Sequence, residues 1–296
     1  MVMLGTTLLY AALGEILTER TGMLNLGVEG MMLVGAVSGF YVAYVTGNPL
    51  LGVVAALIGG AVLALLHAYI TISLHANQIV SGLSLTIFGT GLSQYLGAPL
   101  VGLPLQHSLQ PLAIPLLSSI PIVGPILFQQ NYLVYATYIL IPLAWYVLFR
   151  TRIGLHMRAV GENPATADAM GVNVVRVRYI FTVIGGALCG LGGVYLSLAY
   201  APTWLDNMTA GRGWIAIALV MFARWNPLLG MVGAYAFGLI DILALRMQAL
   251  GTSVPSFFLA MLPYIMTILI LAVFSGNRRG ASGPLSLGLD YDRESQ

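Results

Sequence analysis

Two acidic residues, Glu29 and Asp241, sit inside long apolar stretches of this 296-residue chain. An ionisable group in a spanning segment costs roughly 3 kcal/mol by insertion scales, and less where it reaches an aqueous cavity. Carboxylates kept at that cost can hold a helix contact, line a solute path or carry a proton. Bond-making chemistry has less support. All twelve basic residues are Arg, so the G-x-x-x-x-G-K-S/T loop, whose Lys reaches nucleotide phosphates, is missing. The single Cys189 lies in an apolar segment, and His67, His75, His107 and His156 are scattered, so neither a disulfide framework nor metal-site spacing is present. The histidines read as local hydrogen-bonding residues.

A denser set of polar side chains spans Arg150 to Arg178, after 120 residues, Gly30 to Phe149, that contain no Asp, Glu, Lys or Arg. Within this island Asn163 suits an N-cap, Pro164 the first helical position and Gly171 the C-terminal cap, which predicts a helix of about two turns. So short a helix is marginal alone in water, so it should pack against something. As a docking element it would offer compact apolar surface from Ala165, Ala167, Ala169 and Met170, with Glu162 and the flanking Arg residues setting register. As a mere connector it would lie on the membrane surface.

The elements that must carry these residues follow from composition. Charged residues are 7% and hydrophobic ones 58% of the chain, whereas soluble domains carry roughly 25% charged residues. This is the composition of an integral membrane protein. The apolar runs are continuous rather than alternating, so helices rather than barrel strands should span, each needing about 20 residues. The expected fold is an all-α polytopic membrane protein with nine apolar segments, near 2–17, 24–45, 50–72, 78–97, 132–149, 179–198, 213–223, 227–246 and 257–275. Val2 to Leu17 reads as a retained, short first span, since no basic region or convincing cleavage site accompanies it. The seventh segment covers about half of a roughly 30 Å core, which implies a half-helix or an irregular extension through Leu205 to Arg212.

Arg placement sets orientation. With the island cytoplasmic, Arg20, Arg150, Arg152, Arg158, Arg176, Arg178, Arg224, Arg278, Arg279 and Arg293 fall inside, and only Arg212 and Arg246 outside. The N-terminus is then outside and the tail, 276–296, cytoplasmic. Asn48-Pro49-Leu50-Leu51-Gly52 recurs as Asn226-Pro227-Leu228-Leu229-Gly230, and the topology puts the first copy outside and the second inside. That is the inverted-repeat arrangement of many transporters. It divides a transmembrane domain over 1–275 into halves of about 1–97 and 179–275, with the 150–178 segment between spans. The outer stretch Ala98 to Asn131 holds six prolines, which prevents a regular spanning helix and predicts a packed loop, with a partner-docking surface as the alternative.

The island, Arg158 to Gly171, resembles the coupling helix of permease subunits of ABC importers, in the branched-chain amino acid, simple sugar and nucleoside permease family. Two further stretches, Gly14 to Met32 and Gly211 to Phe222, carry the same resemblance and look most like the nucleoside-type branch. The similarity covers nearly the whole chain, which departs from the pattern in its short start. The resemblance implies a transport subunit at the cell membrane, not an enzyme, with no cofactor of its own. ATP and Mg would be used by two separate ATP-binding subunits coupled through Gly161, Glu162, Asn163, Pro164, Ala165, Ala167, Asp168, Met170 and Gly171. A second, related permease would complete the path, and an extracellular substrate-binding protein would deliver a nucleoside, or alternatively a simple sugar or branched-chain amino acid. Nothing points to nucleic acid. Asn25, Glu29, Asn77, Gln78, Ser84, Gln94 and, by the repeat offset from Glu29, Asn207 are candidates to line the path or to join helices. An ion- or proton-coupled secondary transporter using Glu29 and Asp241 is the competing reading.

Overall fold

The computed structural model describes residues 1–250 apart from 116 and 122, then 255, 258, 259, 261, 262, 264–266, 268, 269 and 283–292. Within residues 1–250 the α-helices are α1 (Val2–Glu19), α2 (Val28–Thr46), α3 (Pro49–Ala68), α4 (Gln78–Gly97), α5 (Val123–Leu127), α6 (Tyr132–Arg150), α7 (Arg152–Glu162), α8 (Pro164–Ala169), α9 (Val174–Tyr195), α10 (Arg212–Phe222) and α11 (Pro227–Ala249). Single π-helical turns, Tyr69–Ser73 and Leu196–Tyr200, extend α3 and α9.

Among the described residues six helices, α1, α2, α3, α6, α9 and α11, are long and apolar enough to cross a membrane. Of the nine expected segments, the fourth is the 20-residue α4, whose Ser, Thr, Gln and Gly residues make it less apolar than the six. The seventh is the 11-residue α10, preceded by irregular chain in which Asn207, Ala210 and Gly211 have positive φ. The ninth, near 257–275, lies largely outside the described residues, as does most of the tail.

The interior is built on α1, α2 and α9. Close approach replaces side-chain interdigitation at their crossings: a Cβ on Gly35 of α2 would fall on the backbone of Gly190 in α9, the small-residue packing that lets membrane helices touch through their backbones. The outward faces of α3 (Val54, Ile58, Val62, Leu65) and α6 (Ile139, Leu143) are apolar, as lipid contact requires. Both copies of the Asn-Pro-Leu-Leu-Gly motif start a helix in the same way. Asn48 Oδ1 accepts from the Leu50 N–H at 2.9 Å and Asn226 Oδ1 from the Leu228 N–H at 3.0 Å, each with Pro at the first helical position.

The proline-dense stretch is a packed loop. Strands β1 (Leu112–Ala113) and β2 (Gln129–Gln130) pair antiparallel, and the N–H groups of Leu105 and Leu109 donate to Pro202 O (3.2 Å) and Leu198 O (3.0 Å). Trp204 is fully buried in the same region, where the 98–131 and 201–211 connections meet. At the opposite end of the bundle lie Arg20, the α7–α8 hairpin, the start of α9, the α10–α11 turn and residues 283–292, joined by the contacts described below.

Candidate functional site

Two parts of the molecule carry the polar chemistry: a helical hairpin at the Arg-rich end, and a line of hydrogen bonds that runs from that end into the bundle.

The hairpin is α7 followed by α8. Thr151 caps α7 by accepting from the Gly154 N–H, and Asn163 caps α8 by accepting from the Thr166 N–H at 3.0 Å, with Pro164 at its first position. Gly171 (φ +85°) ends α8: its N–H donates to Asp168 O at 2.8 Å and the Val172 N–H to Ala167 O at 3.0 Å, the paired bonds a left-handed residue permits at a helix C-terminus. The expected short helix is therefore present, but the island holds a second helix, α7, that the capping pattern did not separate from its surroundings. One site residue needs correction. Ala167 is 4% exposed and packs with Val160 and Val174 in the hairpin's own core, so it contributes nothing to an outward docking surface. A six-residue helix must turn one face inward, and at Ala167 that face is the anchoring one. Met170, just after α8, is 80% exposed, and Ala169 next to it and Glu162 and Asn163 at the other end of α8 are exposed as well. The protruding side chain is flexible and polarizable.

Arg20, just past α1, ties the hairpin to the bundle. Its guanidinium donates to the carbonyls of Trp225 (3.2 Å) and Arg224 (3.3 Å) and stacks over Phe149, whose ring also meets Arg158. Burial, with the Arg158 charge second, holds its pKa below the usual Arg value, and Glu162 opposes the shift. From Trp225 the line continues inward. The indole N–H of Trp225 donates to Glu19 Oε2. One turn along α1, Glu15 accepts from the N–H and the Nδ2 of Asn25, both at 3.3 Å, and Asn25 Oδ1 accepts from the Gly27 N–H at 3.0 Å. Glu15, Glu19 and Asn25 are all fully buried.

The chain between α1 and α2 is thus drawn into the bundle as irregular backbone, and α3 and α4 hold its other side. Gln78 Oε1 accepts from the Leu24 N–H at 2.7 Å, and Thr86 Oγ1 donates to Leu26 O at 2.8 Å. His67 Nε2 donates to Leu24 O at 3.1 Å, which leaves Nδ1 to accept from the Ser81 hydroxyl at 2.9 Å. Irregular backbone at membrane depth requires such internal pairing.

Glu29, in the first turn of α2, is 5% exposed and faces the start of α10. Its Oε1 accepts from Thr209 Oγ1 (2.5 Å) and the Gly211 N–H (2.8 Å), and its Oε2 from the Gly213 N–H (2.6 Å). The carboxylate therefore caps a helix whose first turn has no side-chain cap of its own, where both unpaired N–H groups and the helix dipole favour a negative charge. Gly213 is required for this approach, since a Cβ there would lie 2.6 Å from the Glu29 backbone nitrogen. Arg212 pairs with Asp241 across to α11 at 3.9 Å.

Of the expected path residues, Asn25, Glu29 and Gln78 are buried and bonded within the protein. Asn77 is exposed and caps α4 by accepting from the Ile79 and Val80 N–H groups. Ser84 and Asn207 face outward, Ser84 beside a cavity of about 350 Å³ that Asn77, Val80 and Phe88 also line. Glu29 meets the 207–213 region through Thr209, not through Asn207. Thr209 was absent from the sequence candidates, as were Glu15, Glu19 and Trp225. The two acids did leave a signal, four residues apart in an apolar helix.

Residues 1–273 match the family described as branched-chain amino acid transport system / permease component. The chain belongs to this permease family. It is a multi-pass protein of the cell membrane. The nucleoside ABC transporter permease protein NupC of Lactococcus lactis is 35% identical to the permease, covering 98% of it and 95% of NupC. The guanosine ABC transporter permease protein NupQ of Bacillus subtilis is 33% identical over 98% of the permease and 96% of its own length. A Haloferax volcanii protein provisionally named as the glucose ABC transporter permease TsgC13 is 43% identical over 84% of the permease and 77% of its own length. No solved structure matches it.

Proposed function

We propose that the permease is the membrane-spanning subunit of an ATP-driven nucleoside importer, coupled to separate ATPase subunits through the α7–α8 hairpin on the cytoplasmic side. The observation that carries this reading is the hairpin tip: Met170 protrudes while Ala167 and Val160 pack against Val174 at the start of α9. A push on such a tip is delivered to the helices behind it. A second, related permease encloses the path, and a substrate-binding protein supplies the solute from outside.

Near the start of α10 the Glu29 carboxylate is matched by three donors and Arg212 lies 3.9 Å from Asp241, so these charges are engaged within the protein. The exposed face of α4 carries Ser84, Phe88, Gln94 and Tyr95. Polar side chains on a spanning helix avoid lipid, which supports placing the Ser84 side of this surface along the path and its Leu83 and Ile87 side toward lipid; on the path side rings would stack on a base and the polar groups hydrogen-bond. The like capping by the two Asn-Pro-Leu-Leu-Gly copies supports the inverted-repeat reading, with α2–α3 related to α10–α11. The secondary-transporter reading loses ground because Glu29 and Asp241 are both engaged. A sugar cargo is the second reading, favoured by the Haloferax relative. Uptake of a labelled panel of nucleosides, glucose and leucine tests the choice: nucleosides should be taken up and should compete with one another, and saturable glucose uptake unaffected by nucleosides would replace the nucleoside reading.

A further inference from the structure

The C-terminal segment 283–292 lies apart from the spans, yet it is fixed in place by residues from four different parts of the chain. Ser286 is 3% exposed. Its N–H donates to Gly161 O at 2.9 Å, and its Oγ donates to the same carbonyl at 2.7 Å, with Val160 O at 3.2 Å. These are carbonyls of the last turn of α7, which lack partners within their own helix. The Gly288 N–H donates to Gly22 O at 3.0 Å, in the turn after α1, and Arg178 of α9 donates to Leu289 O at 3.4 Å. Gly283 lies against the Trp225 ring, Leu287 packs on the main core and Tyr291 on the hairpin core.

We propose that this segment is a strap, keyed by Ser286, that fastens the α7–α8 hairpin to the end of α1 and to the α10–α11 turn so that they move as one body. The idea rests on the coupling role of the hairpin and adds to it the link through which displacement leaves the hairpin. A Cβ on Gly161 would meet both Arg20 O and the Pro284 side chain, so the end of α7 lies between α1 and the strap. The strap adds a bond to Gly22 and a second contact with Trp225, whose carbonyl Arg20 already holds, and from Trp225 the line Glu19, Glu15, Asn25 and Gly27 leads to α2 and Glu29. Ser286 is a positioning residue in this scheme and contacts neither solute nor nucleotide.

The test uses the assembled transporter. Ser286→Ala should lower uptake per inserted molecule about fivefold, the equivalent of one lost hydrogen bond, with the solute half-saturation unchanged and more ATP hydrolysed per solute imported. Ending the chain after residue 282 should abolish uptake. A reversible, short thiol cross-link between cysteines at positions 162 and 289, in a Cys189→Ala background, should leave uptake as it was in the same variant before cross-linking. A truncated chain that imports at the full rate overturns the proposal, as does a cross-link that stops uptake until it is reduced. Should the truncated chain not insert, the cross-link decides alone. ATPase dependence, measured on the unaltered chain, separates the failures: its loss removes the coupling reading, whereas its persistence confines any failure to the strap.

Discussion

Glu29 illustrates what one residue can and cannot disclose. Its position, an acid between Gly27 and Gly30 in an apolar run, announces a polar contact inside the membrane. The partner was illegible, because Thr209, Gly211 and Gly213 lie about 180 positions away and neutral backbone donors leave no mark in a sequence. The repeat offset pointed to Asn207, two residues short, since pairing by offset ignores the left-handed turns at Asn207 and Ala210 that re-aim the chain. Glu29→Gln keeps the size and removes the charge that three donors now share. It should cost about 1.5–3 kcal/mol of stability, the range for hydrogen bonds to a charged group, measured by denaturation in detergent. Uptake per folded molecule should then change by one factor for all solutes. A changed ranking among nucleosides would put Glu29 in the path.

At the scale of elements, the local signals held and the tertiary ones did not. Asn163, Pro164 and Gly171 define α8 because caps act within a few residues. Which face of α8 turns inward depends on Val160 and Val174, outside its own short sequence, so Ala167 was placed on the wrong side. Two substitutions follow from the correction. Ala167→Trp overpacks the hairpin core, at a typical cost of about 1–3 kcal/mol, and should reduce the amount of folded protein, read by detergent size-exclusion. Met170→Glu changes only the exposed tip and should leave folded protein unchanged while uptake falls at least tenfold. Normal uptake by the Met170 variant would remove the tip from the docking surface. α4 gives a parallel lesson: its moderate hydropathy was visible in the sequence, but that its Ser84 and Gln94 face outward while Gln78 and Ser81 face inward required the packing of α4 on α2 and α3.

For the whole molecule, Arg bias and apolar segmentation described a polytopic bundle, and the described Arg residues expected inside do gather at the hairpin end. Arg212 departs from that simple scheme, since it is held by Asp241 within the bundle rather than placed in an outer loop. The topology predicts that, in a Cys189→Ala background, a cysteine at position 163 is labelled by an impermeant reagent only after permeabilisation, and one at position 110 in intact cells. Labelling of position 163 from outside would reverse the orientation. The central claim, that ATP hydrolysis on partner subunits drives a nucleoside through this permease, is tested most directly by uptake of labelled nucleoside into vesicles holding the complete transporter, with ATP supplied to the hairpin side and ion gradients collapsed. The account predicts uptake that continues without proton or sodium gradients and stops when ATP is withdrawn; uptake that needs a gradient and ignores ATP would contradict it.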